Sequence, residues 1–159
     1  MELRKTFFVV LSFLTGITAC NQSTVQGDWI TGTEAEQLKT TERHFRGLDV
    51  AMVEIGYRYQ ELYWAGQDDN WEYASYQLDK IKLSLTNSIE RRPLRKEFGN
   101  YFLENDFPLM GEAVSKKDTT VFNDAFQIFT LSCNSCHAKE KVPFFNVTIP
   151  VVRTSIIAR

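Results

Sequence analysis

The chain of 159 residues carries two histidines, three cysteines and four prolines, and each shortage narrows what it can be. Only one close pair of cysteines exists, Cys133 and Cys136, with His137 next in line. His44 is the other histidine, so a zinc site, which needs a fourth ligand and usually a second Cys or His cluster, is poorly supplied. Charge of one sign is also missing: 18 Lys and Arg face 20 Asp and Glu, which leaves no basic footprint for nucleic acid. There is no internal repeat, no low-complexity tract and no convincing strand alternation. No nucleophile–base–orienter set is visible, which argues against an enzyme. The longest apolar run, FFVVLSFLTGI, is about eleven residues, too short to span a bilayer.

That run follows a short basic start, MELRK, and has the dimensions of a secretory h-region. It ends in ITAC, which resembles the bacterial lipoprotein cleavage box. The resemblance implies a signal peptide over residues 1–19, cleavage before Cys20 and lipid on the Cys20 sulfur. The alternative is ordinary cleavage after Ala19 with Cys20 free. The expectation is an exported chain, lipid-anchored to a bacterial membrane and facing the periplasm or the cell exterior. Residues 20–32, polar and without a sustained period, read as a tether. With Cys20 assigned to lipid, the thiol count closes on Cys133 and Cys136, and outside the cytoplasm such a pair is oxidised or chemically used.

Residues 33–159 read as one all-α domain, with an extension from about 142. Thr33 is placed to cap a first long helix carrying the stripe Leu38, Thr41, Phe45, Leu48, Met52, Ile55, Tyr59, Leu62. Asp68 to Asn70 can cap a second helix, with Trp71, Ala74, Leu78, Ile81, Leu85 and Ile89 inward. Pro93 ends it and opens a third, with Leu94, Phe98 and Phe102 inward and a kink or break expected at Pro108. Asp118 caps a fourth, with Phe122, Phe126 and Phe129 inward, ending by about Lys141 before Pro143. Short connections imply antiparallel neighbours, hence an up-down-up-down four-helix bundle.

Continuing the last stripe past Phe129 reaches Cys133 and Cys136, and at that spacing both sulfurs share a face with His137 beside them. C-x-x-C-H is the attachment signature of c-type haem: two thiols add across the two vinyl groups, and the imidazole reaches iron. A thioredoxin-like pair belongs near a βαβ unit, and none is visible. A disulfide within a helix would be strained and leaves His137 unexplained.

A four-helix chain with CNSCH near the end of its last helix resembles cytochrome c′ and the methionine-ligated class II cytochromes c. The resemblance covers roughly 33–141 in architecture, and CNSCH is its specific motif. It implies one covalent haem c near the C-terminal end of the last helix, thioethers at Cys133 and Cys136, and His137 as the proximal iron ligand. AKEKVPFFNVTIPVVR departs from that pattern, because cytochrome c′ ends soon after its ligand histidine. The expectation is that this extension folds back over the haem edge, with Phe144 and Phe145 as cover.

The expected function is one-electron transfer through Fe(III)/Fe(II) haem. The runner-up is a cytochrome c′-like protein that binds or senses a diatomic gas at an open sixth position. A peroxidase-like reading has only His44 with Arg43 or Arg46 behind it, and an idle motif on a structural lipoprotein is a further alternative. Matching heights along antiparallel helices brings Met52, Leu48 and His44 near the level of His137. Met52, on the inward stripe, is the expected sixth ligand, with an open site beside Leu48 or His44 ligation as alternatives and core filler as the ordinary role of such a Met. The basic turn RRPLR offers Arg91, Arg92 or Arg95 to a haem propionate or merely to solvent. The aromatic groups YRYQELYW and NWEYASY read mainly as packing, with a docking surface as the minor reading. Partners implied are a redox protein of unknown identity and the membrane through the N-terminal lipid; a homodimer is compatible with the sequence.

Overall fold

The computed structural model describes residues 27–157. The expected signal peptide and Cys20 lie outside the described residues. Helix accounts for all the regular structure there, with no strand. The chain divides into two compact units between His44 and Phe45.

The first unit holds α1, Glu34–His44. Thr33 caps it reciprocally with Glu36: Thr33 N and Oγ1 donate to Glu36 Oε2 at 2.8 and 2.9 Å, and Glu36 N donates to Thr33 Oγ1 at 3.4 Å. No residue of α1 is buried. The His44 ring stands edge-on to Trp29 at 4.7 Å.

The single long first helix of the sequence reading is therefore two. Arg46 sits at φ 56°, a left-handed conformation that ends helical geometry. Asp49 supports the break, because its Oδ1 accepts from Gly47 N at 3.2 Å while Oδ2 accepts from Arg46. These local side-chain bonds substitute for the helical ladder over one turn. Leu38 and Phe45, counted on the inward stripe, are each 63% exposed.

The second unit contains four main helical segments, compatible with a four-helix bundle. They are α2, Leu48–Gln67; α3, Trp71–Arg91; a broken third segment; and α6, Thr119–Lys139. Asn70 caps α3 by accepting from Tyr73 N at 3.3 Å, and Asp118 caps α6 by accepting from Thr120 N and Val121 N at 2.8 and 2.9 Å. Pro93 opens a 3₁₀ turn, Pro93–Arg95, followed by α4, Lys96–Tyr101. A π-helical turn, Phe102–Asp106, precedes α5, Phe107–Lys116, whose first turn holds Pro108. Pro108 thus breaks the third segment as expected, and the backbone absorbs it with one wider turn.

The core follows the predicted stripes on α3 and α6. All six α3 stripe residues and Phe122, Phe126 and Phe129 are buried, together with Tyr59 and Leu62 of α2. Fully burying one such large apolar side chain contributes roughly 1.5–3 kcal/mol. On the third segment Leu94, also predicted inward, is 99% exposed because it belongs to the 3₁₀ turn and not to the helix. After α6 the chain reverses at Lys141, φ 63°, and residues 142–157 return over the unit without helix or strand.

Candidate functional site

The apolar face of α6 carries Phe126, Phe129, Cys133 and Cys136 in sequence, so the stripe that fills the core also delivers two sulfurs to its edge. There they open on a cavity of about 110 Å³. Met52, Ile55, Gly56 and Tyr59 of α2 form one wall, Ile81 and Leu85 of α3 another, and Phe102, Phe129 and Val147 complete it with Cys133, Cys136 and His137. The wall is apolar apart from the Tyr59 hydroxyl, the thiols and the imidazole. The Tyr59 hydroxyl is engaged by Thr130 Oγ1 at 2.7 Å.

Cys133 and Cys136 are free thiols. Burial pushes Cys133 up to about 12, with the neighbouring Cys136 and Asp106 charges acting in the same direction. Cys136 is raised too, by burial first and then by Glu140. Both are therefore protonated near neutral pH, unlike the depressed thiolates of redox and nucleophilic cysteines.

His137 is half-buried, and its Nδ1 lies 2.6 Å from the Phe145 carbonyl oxygen. A carbonyl oxygen only accepts, so Nδ1 carries a proton, and in the neutral ring it is Nε2 that presents the lone pair. The turn at 142–145 makes this contact: Val142 N donates to His137 O at 2.9 Å and Phe145 N to Val142 O at 3.1 Å. Pro143 at the second position of that turn has its φ preset.

Cys133, Cys136, His137 and Met52 thus share one cavity. The other candidates of the second unit do not join them. His44 belongs to the first unit, against Trp29. Leu48 is half-buried but does not line the cavity. Met110 is core filler, 1% exposed. Arg95 is paired with Glu140 and also donates to its carbonyl at 3.4 Å, and Arg92 donates to Arg91 O at 2.8 Å. Phe144 and Phe145 face solvent, 73% and 62% exposed, and Val147 of the same extension covers the cavity instead. Sequence reading missed Val147, Gly56 and Asn134; the last makes two bonds to Val147. Among the described residues no group of three or more His, Cys, Asp or Glu side chains is placed to hold a metal ion, and no helix is long and apolar enough to cross a membrane.

Chemically, two thiols and an imidazole set on one edge of an apolar cavity can form carbon–sulfur bonds and offer a nitrogen lone pair to a ligand held there. No family model, curated protein or solved structure matches the chain.

Proposed function

We propose that the chain is a monohaem c-type cytochrome of class II type, exported, lipid-anchored through Cys20, and passing single electrons. The observation that carries this reading is the convergence of Cys133, Cys136, His137 and Met52 on one apolar cavity. Cys133 and Cys136 would hold the haem through thioethers, His137 would ligate iron through Nε2, and Met52 would take the sixth position. When bound, the haem supplies the Fe(III)/Fe(II) couple.

The chain's own residues do the rest. The Phe145 carbonyl holds His137 in one tautomer and orientation, which makes Nε2 a stronger donor. Ile81, Leu85, Phe102 and Phe129 keep water from the cavity and lower the local dielectric, which disfavours the more highly charged oxidised state. A void of about 110 Å³ is smaller than a porphyrin, so loading requires the wall to open, and Val147, on the returning extension, is the wall element not built into a helix. The up-down-up-down arrangement is part of the same proposal. It is supported by side-chain pairs that bring the turn at 68–70 to the turn at 117–119: Gln67 donates to Asn123 at 2.7 Å, Thr119 to Asp69 at 2.7 Å and Lys117 to Glu72 at 3.2 Å.

A second reading, gas binding at an open sixth position, has one observation behind it. Gly56, one turn beyond Met52, faces the same cavity with nothing within 4 Å of where a Cβ would stand. Expression in a host with cytochrome c maturation tests both. Haem that stays with the chain on a denaturing gel supports the cytochrome reading, and its absence rejects it. In the reduced haem protein, slow or negligible carbon monoxide binding supports Met52 ligation, and rapid binding supports the open site.

A further inference from the structure

Residues 142–157 have no regular structure, yet they are tied to the helices at intervals. At the far end Arg153 donates to both carboxylate oxygens of Asp68 at 2.6 and 2.8 Å, with its guanidinium 4.9 Å from the centre of the Trp64 ring. Ser155 Oγ donates to the buried Glu61 at 2.7 Å. At the near end the tie is Asn134. Val147 N donates to Asn134 Oδ1 at 2.7 Å, and Asn134 Nδ2 donates to Val147 O at 2.9 Å. One side-chain amide thereby satisfies both backbone groups of Val147, as a neighbouring strand would. The next polar tie along the segment is a long one, Tyr59 OH to Thr148 O at 3.4 Å.

We infer that Asn134 is a positioning residue that latches the returning segment, so that Val147 closes the cavity and the Phe145 carbonyl stays on His137 Nδ1. The placement is direct. Asn134 is the residue after Cys133 and lies about one turn before His137 on α6, and Phe145 is two residues before Val147 in the segment that Asn134 holds. Release of the Asn134–Val147 pair leaves the 142–149 stretch held by the turn at its start, the single His137–Phe145 contact, the long Tyr59 contact and the apolar packing of Val147 and Ile149. The cavity would then open at Val147 while the Arg153 anchor keeps the segment attached, which is a route for loading a ligand wider than the void. The meaning given to the His137 orientation rests on the proposed function; the latch itself does not.

The full chain without cofactor supplies the first test. The Val147 amide should be protected from hydrogen exchange, and Asn134→Leu, which removes both bonds while keeping the branched shape, should speed its exchange and the maleimide labelling of Cys136 by about tenfold. Asn134→Asp keeps the acceptor for Val147 N and loses the donor, so it should fall between. A Val147 amide that exchanges in the unaltered chain as fast as an exposed one overturns the latch, and that result does not depend on a variant folding. Labelling of a folded Asn134→Leu chain at the unaltered rate overturns it as well. In haem-loaded protein the same variant should shift the midpoint potential upward, because a weaker Nδ1–H bond makes the imidazole a poorer donor. Faster labelling with an unchanged potential rejects the positioning role. A chain that never attaches haem rejects the proposed function while the exchange result still decides the latch.

Discussion

At the scale of single residues, contacts a few tenths of an ångström wide decide what is tolerated. Gly66 lies buried in α2 where an added Cβ would stand 2.2 Å from Phe122 Cε1 and 2.4 Å from Cζ. Helix propensity alone favours alanine over glycine by about 1 kcal/mol. The clash with a fully buried ring reverses the sign, and Gly66→Ala should destabilise by about 1–3 kcal/mol, read as a lower urea midpoint with unchanged slope. At Met52 the expected readout is spectroscopic: the ferric haem protein should show a sulfur-to-iron band toward the red that Met52→Ala removes. The inward register of Met52, Cys133 and Cys136 was legible, because each continues a three-and-four spacing inside an unbroken helix. Leu94 was not, since that count assumed a helix where Pro93 opens a 3₁₀ turn. Nor were Phe144 and Phe145 legible. Their ring bulk reads as cover, but their place in the reversing turn sends the rings outward and leaves a backbone carbonyl for His137.

At the scale of elements, the caps and breakers were the most readable features. Asn70, Asp118, Pro93 and Pro108 act through local geometry that needs no tertiary partner. The break at Arg46 was hidden, because arginine usually continues a helix and the left-handed turn depends on Asp49 bonding back to Gly47 and Arg46. That residues 142–157 fold back was expected, but their anchors were hidden for the opposite reason, since they come from distant residues such as Glu61 and Asp68. Two predictions belong here. Lys117 ends α5 at φ 53°, so Lys117→Gly should stabilise by about 1 kcal/mol, the exposed pair with Glu72 being worth little. Asp118→Ala should remove the α6 cap and cost about 1 kcal/mol. Thermal unfolding midpoints moving in opposite directions for these neighbours check both, and a lower midpoint for Lys117→Gly would refute the first.

At the scale of the whole molecule, two phenols make the fold sensitive to base. Burial raises Tyr59 to about 12 from 10.0. Burial and then its hydrogen bond to Glu61, 2.7 Å long, raise Tyr73 as well. A phenol that holds its proton more tightly when folded contributes stability that is fully present below its unfolded value and lost as pH rises through the folded one. The urea midpoint should therefore fall above about pH 10, and Tyr73→Phe should lessen the fall. The same molecule-wide view ties the fold to the proposed chemistry. One apolar face of α6 builds the core with three phenylalanines and, one to two turns on, offers two thiols and an imidazole to a cavity that Val147 of the returning segment helps to line. The central claim is that Cys133 and Cys136 carry a covalent haem. Its most direct test is the intact mass of the denatured protein, made in an exporting host with cytochrome c maturation. The account predicts one added haem on the chain and none on the Cys133→Ala, Cys136→Ala double variant; an unmodified mass for the unaltered chain would contradict it.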